Sequence, residues 1–196
     1  MLSMARTRAF NTDKVLGKAL DLFWRQGYAA TSMQDLTEAM SLSRSSLYET
    51  YGDKHALFLR ALDSYQGNEE GKLCALLDQA ESPRVALQQF FDGLVMQLTA
   101  KKQQYGCFML NSGIELGAQD PEVASRFKAA QSGAEILFMH VIERGQVAGQ
   151  ISKRHEPRAL ARYLFNAVRG MQSMAKANPD VRALREIAEM TLAMLD

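Results

Sequence analysis

Apolar residues recur every three or four positions along most of the chain, which is the spacing of one face of an α-helix. Three clear sets are Val15, Ala19, Leu22 and Phe23; Leu87, Phe90, Phe91 and Leu94; and Leu160, Tyr163, Leu164, Ala167 and Val168. Alternating β-branched residues between turn dipeptides, the pattern typical of strands, do not occur. With 196 residues, of which 47% are hydrophobic, the chain can bury a sizeable core. The sequence therefore predicts an all-α fold.

The ends of the predicted helices follow from prolines and capping residues. Each of the four prolines lies beside a residue that can start a helix. We predict helices near residues 12–26, 32–40, 44–50, 53–79, 84–101, 105–117, 121–147, 156–176 and 180–195. The first three are short, whereas the later ones can pack lengthwise as a bundle.

This contrast in helix length predicts three parts: an amino-terminal arm and domain over 1–52, a connecting helix over 53–71, and a carboxy-terminal bundle over 72–196. Gly67 and Gly71 are expected to weaken the connecting helix and to let it bend.

A helix stop and a helix start lie within five residues near the amino terminus. Gly27 can adopt a positive φ and end the first helix, after which Thr31 is predicted to cap the second, with Gln34 completing a capping box. The second helix ends near Ser41, and Ser43 can cap a short third helix. This succession predicts a helix-turn-helix.

The third helix presents compact hydrogen-bonding residues at its front, namely Arg44, Ser45 and Ser46. A helix that enters the major groove needs such residues, although serines here also fit a surface helix that they merely cap. Gly52 can end this helix and Asp53 can cap the next. The apolar face of that next helix is predicted to bury against the first three helices through Leu57, Phe58, Ala61, Leu62 and Tyr65.

The spacing over residues 23–57 resembles the TetR/AcrR family of transcriptional repressors. The positions that carry the resemblance are Phe23, Gly27, Tyr28, Thr31, Ser32, Ser43, Leu47, Tyr48, Tyr51, Gly52, Lys54 and Leu57. The chain departs from the family at Ser41, where a turn glycine is usual, and at Glu49 and Thr50 in the third helix. A serine with positive φ at position 41 is expected to cost about 1 kcal/mol. The operator sequence cannot be carried over from a relative.

The resemblance implies a repressor that binds double-stranded operator DNA as a homodimer. The third helix would enter the major groove with Arg44, Ser45 and Ser46 near base edges, while Tyr48 and Lys54 bind phosphates. Thr31 and Ser32 would hold a phosphate at the front of the second helix. The arm residues Arg6 and Arg8 would reach a minor groove, or serve only as solubilising charges. The full set expected at DNA is Thr31, Ser32, Ser43, Arg44, Ser45, Ser46, Tyr48, Thr50, Lys54, Arg6 and Arg8.

The resemblance further implies that the bundle binds a ligand and forms the dimer interface with its last two helices. The residues expected at that interface are Leu160, Leu164, Ala167, Val168, Met171, Leu184, Ile187, Ala188, Thr191 and Leu195. The residues expected to line a pocket for an unknown small apolar or amphipathic inducer are Phe91, Leu94, Val95, Cys107, Phe108, Asn111, Glu115, Phe138, Met139, His140 and Phe165. An ordinary core is the alternative for the apolar members of both sets, and a structural hydrogen bond is the alternative for the polar ones.

Cys107 begins a predicted helix, where the helix dipole favours a reactive thiolate. Some TetR-like repressors sense electrophiles or oxidants through a cysteine, so a sensor through Cys107 is the alternative to reversible ligand binding. A small buried core residue is the other interpretation. An enzyme would need Cys107 with His140 and either Glu115 or Glu143, and no motif supports that set. A helical adaptor that binds a protein would leave the polar front of the third helix unexplained.

Neither a metal nor a cofactor is expected, because the two cysteines and three histidines lack the spacing of a metal site. No apolar run is long enough to cross a bilayer, and the first residues lack the apolar stretch of a secretory signal. We therefore expect a cytoplasmic protein without a membrane partner. The net charge of +1 does not by itself indicate nucleic acid.

Overall fold

A computed structural model describes residues 12–100 and 105–196. Within these two ranges the chain forms nine α-helices and no strand, which confirms the predicted all-α fold class. The helices are α1 (Thr12–Gln26), α2 (Met33–Met40), α3 (Arg44–Tyr51), α4 (Lys54–Gln79), α5 (Pro83–Thr99), α6 (Phe108–Leu116), α7 (Pro121–Val147), α8 (Pro157–Ala177) and α9 (Val181–Ala193). The start of α6 differs most from prediction, since the helix begins at Phe108 rather than at residue 105.

Two compact units divide the chain, and their boundary lies inside α4. One unit ends at Ser64 and the other spans Tyr65–Asp196. Neither Gly67 nor Gly71 ends α4, which is continuous through both. Among the described residues, no helix is long and apolar enough to cross a membrane.

The first unit packs α1, α2, α3 and the start of α4 around one apolar core. The ring of Phe23 in α1 meets that of Phe58 in α4 edge to face, with 5.0 Å between centroids. Leu36 of α2 and Leu47 of α3 are completely buried. Each short helix therefore contributes a buried anchor, and this packing rather than helix length holds it in place.

Local signals end and start these helices where the sequence predicts. Gly27 has φ +83° after α1, and Gly52 has φ +82° after α3. The Ser43 hydroxyl accepts a hydrogen bond from the Ser46 amide at 3.1 Å. The Asp53 carboxylate accepts one from the Ala56 amide at 2.7 Å. The backbone of the helix-turn-helix is thus fixed by interactions within a few residues.

Ser41, between α2 and α3, has φ +56° and is the one non-glycine residue with a positive φ in the described ranges. We expect Ser41→Gly to raise the free energy of unfolding by about 1 kcal/mol, because glycine adopts this conformation without the Cβ clash. Urea denaturation of both proteins measures the difference. Ser45→Gly, the same change inside α3, is the matched control and should lower stability by about 0.5 kcal/mol. A decrease in both variants would contradict the assignment of strain to Ser41.

The second unit is a bundle in which α5, α7, α8 and α9 share one core that includes Leu87, Phe91, Phe138 and Leu164. Ion pairs at the surface of the bundle connect α7 to α8. Glu135 of α7 accepts hydrogen bonds from Arg158 and Arg162 of α8 at 2.8 and 3.1 Å. The hydrogen bond from Arg158, then the one from Arg162, and the charges of both arginines lower the pKa of the Glu135 carboxyl.

Tyr65, the last of the residues predicted to bury against the first three helices, lies in the second unit. Its ring meets Phe108 edge to face at 5.7 Å within the second unit. The other four residues of the predicted apolar face of α4, Leu57, Phe58, Ala61 and Leu62, are completely buried. The periodicity therefore identified the buried face of α4 correctly.

The predicted dimer-interface set is mostly internal to one chain. Eight of its ten members are already buried in the isolated chain: Leu160, Leu164, Val168, Met171, Leu184, Ala188, Thr191 and Leu195. These eight residues therefore belong to the core of one chain, and among them only Thr191 also lines the groove on the outer side of α8 and α9. Ala167 and Ile187 remain partly exposed. They line a shallow groove with Tyr163, Asn166, Ala183, Glu186 and Met190 on the outer side of α8 and α9.

Candidate functional site

The front of α3 is a cluster of serine hydroxyls. Ser43 caps the helix, and its hydroxyl oxygen lies 3.0 Å from that of Ser45 and 2.8 Å from that of Ser46. Ser43 and Ser45 are exposed and Ser46 is half-buried. Hydroxyls can both donate and accept hydrogen bonds, so this surface can face base edges or phosphates.

Arg44 lies beside these serines and is exposed. Its guanidinium carbon is 5.9 Å from the ring centroid of Tyr48, whose side chain is 44% exposed. In the part of the chain that the structure describes, Arg44 forms no ion pair. A guanidinium without a carboxylate partner retains all five donors for a ligand such as guanine or phosphate.

The opposite face of α3 is anchored by Leu47 and Tyr51, which are buried. The Tyr51 hydroxyl donates to the Thr12 carbonyl at 3.2 Å, and burial raises the pKa of this phenol. Arg60 of α4 lies 5.6 Å from the Tyr51 ring and donates to the Thr50 carbonyl at 3.2 Å. Sequence reasoning missed Arg60, which holds the end of α3 and whose only sequence signal is its place on the exposed face of α4.

Lys54 is held at the start of α4 by an aromatic ring. Its ammonium lies 4.3 Å from the ring centroid of Tyr28, and that ring packs on Phe58 at 4.8 Å. Tyr28 was part of the sequence motif, but its role as the support of Lys54 was not predicted. The arrangement fixes a positive charge close to α3 without burying it.

The cap of α2 differs from prediction by one residue. Ser32, not Thr31, is the N-cap, and Asp35, not Gln34, completes the capping box. Thr31 is 1% exposed and its hydroxyl donates to the Gly27 carbonyl at 2.6 Å, so Thr31 is turned inward and cannot bind a phosphate in this conformation. Gln34 instead donates to Glu38 at 3.0 Å.

Ser32 is exposed, but its hydroxyl and amide both donate to the Asp35 carboxylate, at 2.7 and 2.8 Å. These hydrogen bonds lower the pKa of Asp35, and the nearby charge of Lys54 adds to the effect. An internal carboxylate thus occupies the anion site at the front of α2. Arg6 and Arg8 lie outside the described residues.

A cavity of about 110 Å³ in the second unit contains two of the predicted pocket residues, Cys107 and Phe165. Its other lining residues are Tyr65, Gln66, Glu69, Glu70, Leu73, Phe90, Met109, Ala130, Ala134, Leu137, Val168, Arg169 and Gln172. The polar members come from α4 and α8, at spacings of three or four residues. The sequence did not single these residues out, because polar residues at that spacing fit a solvated helix face equally well.

The remaining predicted pocket residues lie elsewhere. Phe91, Leu94, Val95, Phe108 and Phe138 are core residues, and Met139 is half-buried against the core. Leu94 also borders a second cavity, beside Phe90. The Asn111 side chain donates to the Tyr105 carbonyl at 2.6 Å and accepts from Lys176 at 3.2 Å.

Glu115 is exposed, and His140 lines a separate open groove with Cys74 and Glu143. His140 and Cys107 therefore line different cavities.

Cys107 is buried at the N-cap of α6 and contacts two other helices. Its sulfur accepts a hydrogen bond from Arg169 Nη1 of α8 at 2.9 Å and faces the Tyr65 hydroxyl of α4 at 3.5 Å. Arg169 is itself held by Gln172 Oε1 at 3.1 Å and by the ring of Phe165 at 4.6 Å. Burial, and then the neighbouring Cys107, raise the pKa of Tyr65, so its phenol stays protonated and can donate.

Comparison with known families finds two matching family models. Residues 15–61 match the model described as bacterial regulatory proteins of the tetR family, and residues 83–191 match the tetracyclin repressor-like C-terminal domain. The chain is 34% identical over 197 residues to the uncharacterised HTH-type transcriptional regulator YezE of Bacillus subtilis, covering 98% of this chain and 100% of that protein. It is 31% identical over 193 residues to the HTH-type transcriptional repressor ComR of Escherichia coli, covering 98% and 92%.

Among solved structures, the chain is similar to a cysteine mutant of the TetR family transcriptional regulator CifR, which was solved with 26-base-pair double-strand operator DNA. The TM-score is 0.87 at 28% identity, and the similarity covers 97% of this chain and 100% of that one. The reduced form of NemR from Escherichia coli has the same fold, with a TM-score of 0.86 at 17% identity over 94% and 96% of the two chains.

Proposed function

Because the chain belongs to the tetR family of bacterial regulatory proteins and is a DNA-binding transcriptional regulator, we propose that it represses its target genes by binding a pseudo-palindromic operator as a homodimer. The observation that carries the proposal is the exposed polar front of α3. Arg44 lies there beside three serine hydroxyls and has no ion-pair partner among the described residues. Such a protein works where the chromosome is, so we infer a cytoplasmic location.

Selection of bound fragments from sheared genomic DNA, followed by gel shifts on the recovered fragments, tests this function. We expect recovered sites with two-fold related halves whose centres are 10–10.5 base pairs apart, or a multiple of that spacing, since a two-fold dimer presents two copies of α3 to successive major grooves. Recovery of no preferred sequence, or of single half-sites only, would contradict the proposal.

Dimerisation is proposed to use the outer face of α8 and α9. We define this α8–α9 face by the residues that line its groove: Tyr163, Asn166, Ala167, Ala183, Glu186, Ile187, Met190 and Thr191. Tyr163 and Met190 are apolar and 45% and 69% exposed in the isolated chain. A helical face with exposed apolar residues and the small side chains of Ala167 and Ala183 permits close approach of a second pair of helices.

Regulation by a small apolar or amphipathic inducer is proposed to act through the connecting helix over residues 53–71, with the bundle over 72–196 as the ligand-binding part. The cavity that Phe165 and Cys107 line is the proposed binding site, and α4 supplies Tyr65 and Gln66 to its wall. The same helix supplies Lys54 to the DNA-binding surface. Because ligand and operator would favour different conformations, each must weaken binding of the other by the same factor.

Substitution of Gly67 and Gly71 in α4 tests whether this helix must bend for the inducer to release operator. Both are exposed, and a Cβ built on either meets nothing within 4 Å. We therefore expect Gly67→Ala with Gly71→Ala to raise the free energy of unfolding by about 1–2 kcal/mol through helix propensity. If the helix bends at these positions, the double variant should bind operator normally and need more inducer for release. Gly133→Ala in α7, which also has open space around it, is the control for added stability alone.

A sensor that reacts covalently through Cys107 is the second candidate mode of regulation. The contact that favours it is the 2.9 Å hydrogen bond from Arg169 to the sulfur, together with the cavity that gives a reagent room beside it. A thiol must carry negative charge to attack an electrophile, and the guanidinium is always positively charged. If Cys107→Ser binds operator and still releases it with every inducing compound, this mode is excluded.

A further inference from the structure

Glu49 lies at the centre of the exposed face of α3. The buried side chains of this helix are Leu47 and Tyr51. Glu49 is two residues from each, so on a helix of 3.6 residues per turn it projects about 160° away from both. Its side chain is exposed, and the compact Ser45 and Ser46 precede it by one turn on the same side of the helix. The outermost point of α3 is therefore a carboxylate.

No contact within the described part of the chain accounts for this carboxylate. Over residues 12–100 and 105–196, Glu49 forms neither a side-chain hydrogen bond nor an ion pair. It also lies in the last turn of α3, where the negative end of the helix dipole disfavours a negative charge. The fold gains nothing from a glutamate at this position, so we look for its partner outside the chain.

The major groove of DNA offers few hydrogen-bond donors to a carboxylate. Phosphates are negatively charged and repel it. Guanine and thymine present only acceptors in this groove, whereas cytosine presents its N4 amino group and adenine presents its N6 amino group beside the N7 acceptor. A carboxylate that accepts from adenine therefore lies close to a second acceptor. Cytosine is the base that satisfies it without repulsion.

We propose that Glu49 makes one position in each half of the operator selective for cytosine, by accepting a hydrogen bond from the N4 amino group. Its negative charge lowers affinity for DNA that lacks this base, so the residue acts by repulsion as well as by attraction. The inference rests on the proposed function, because it requires α3 to lie in the major groove, and it names a base that the operator must contain.

Arg44 and Glu49 would read different base pairs. They are the two charged residues of α3 and have opposite signs. Five residues separate them, which is about 7.5 Å along the helix and roughly two base-pair steps of 3.4 Å. A guanidinium prefers the two acceptors of guanine, whereas a carboxylate prefers the donor of cytosine. The effects of the two residues should therefore appear at different positions of the half-site.

The base preferences of Glu49→Gln and Glu49→Ala test the proposal. The full chain and both variants are titrated onto the operator selected from genomic DNA. The same titrations use operators in which each position of both halves is replaced in turn by the other three base pairs, with fluorescence anisotropy as the readout. We expect the wild type to prefer cytosine at one position of the half-site by at least about tenfold.

Glu49→Gln should move this preference to adenine, because a glutamine amide can bond to both N6 and N7 of that base. Glu49→Ala should bind all four bases at the same position alike. Both variants remove a negative charge from the DNA-facing surface, so both should bind random DNA more tightly than the wild type. Thermal unfolding should show no loss of stability, since neither substitution removes a contact among the described residues.

Glu38→Gln is the matched control. Glu38 is an exposed glutamate of the same unit, but it belongs to α2 and not to α3. The substitution removes the same charge and should leave the cytosine preference unchanged. A shift of base preference in this variant as well would show that net charge, and not a contact from α3, sets the preference.

Absence of a cytosine preference in the wild type, or an unchanged preference in Glu49→Ala, would overturn the inference. Failure of the proposed function gives a different result, because the wild type would then select no two-fold related operator at all. Recovery of a two-fold operator whose cytosine preference follows residue 49 supports both.

Discussion

Replacing Arg44 by alanine is expected to weaken binding to the operator by about 10- to 100-fold, the loss of one bidentate contact to a base, while binding to random DNA changes little. The expectation follows from the surroundings of Arg44. Its guanidinium is exposed, makes no ion pair in the described part of the chain, and lies 5.9 Å from the Tyr48 ring. Its removal leaves Leu47 and Tyr51 buried, so the fold of α3 should persist.

Lys54→Ala is the matched comparison, because Lys54 also carries a positive charge but is proposed to bind phosphate. It should weaken binding to operator and to random DNA alike and reduce the slope of log K against log salt by about 1. Fluorescence anisotropy on both DNAs, over a range of salt concentrations, measures the two effects. Equal losses on operator and random DNA in the Arg44 variant would refute a role in reading bases.

The parts of the fold that the sequence predicted well depend on interactions between near neighbours. Gly27 ends α1, and Ser43 and Asp53 cap α3 and α4, because each geometry is set within four residues of the chain. The polar front of α3 is equally local, since it needs only the position of Arg44 and its serines on one short helix. For the same reason, most of the proposed DNA-binding surface can be predicted without knowledge of any tertiary contact.

The errors concern choices that tertiary packing makes. Thr31 and Ser32 are both good caps, and burial of Thr31 against the Gly27 carbonyl selects Ser32. Apolar periodicity located a buried face on α8 and α9 but did not show whether this chain or a second copy covers it. Cys107 was singled out from its place at a helix start, whereas its partner Arg169 lies 62 residues away and carries no local signal.

Met190→Asp is expected to dissociate the proposed dimer and to lower operator affinity by more than about 100-fold, because a two-fold interface receives each substitution twice. Met190 is 69% exposed in the isolated chain, so a charge there should leave the fold of one chain intact. In the proposed dimer the same position is covered, and an unpaired carboxylate would be strongly unfavourable. Sedimentation at micromolar concentration gives the oligomeric state, and thermal unfolding checks the fold.

Met96→Asp on α5 is the control, since Met96 is the same residue type and is 73% exposed but lies outside the α8–α9 face. It should remain dimeric and bind operator normally. A dimeric Met190→Asp variant would place the interface on another surface. A monomeric variant with full operator affinity would show that one copy of α3 is sufficient, and would remove the reason to expect two-fold symmetry in the operator. The two-fold arrangement requires that Met190→Asp lose both the dimer and operator binding. The variant should still bind random DNA weakly.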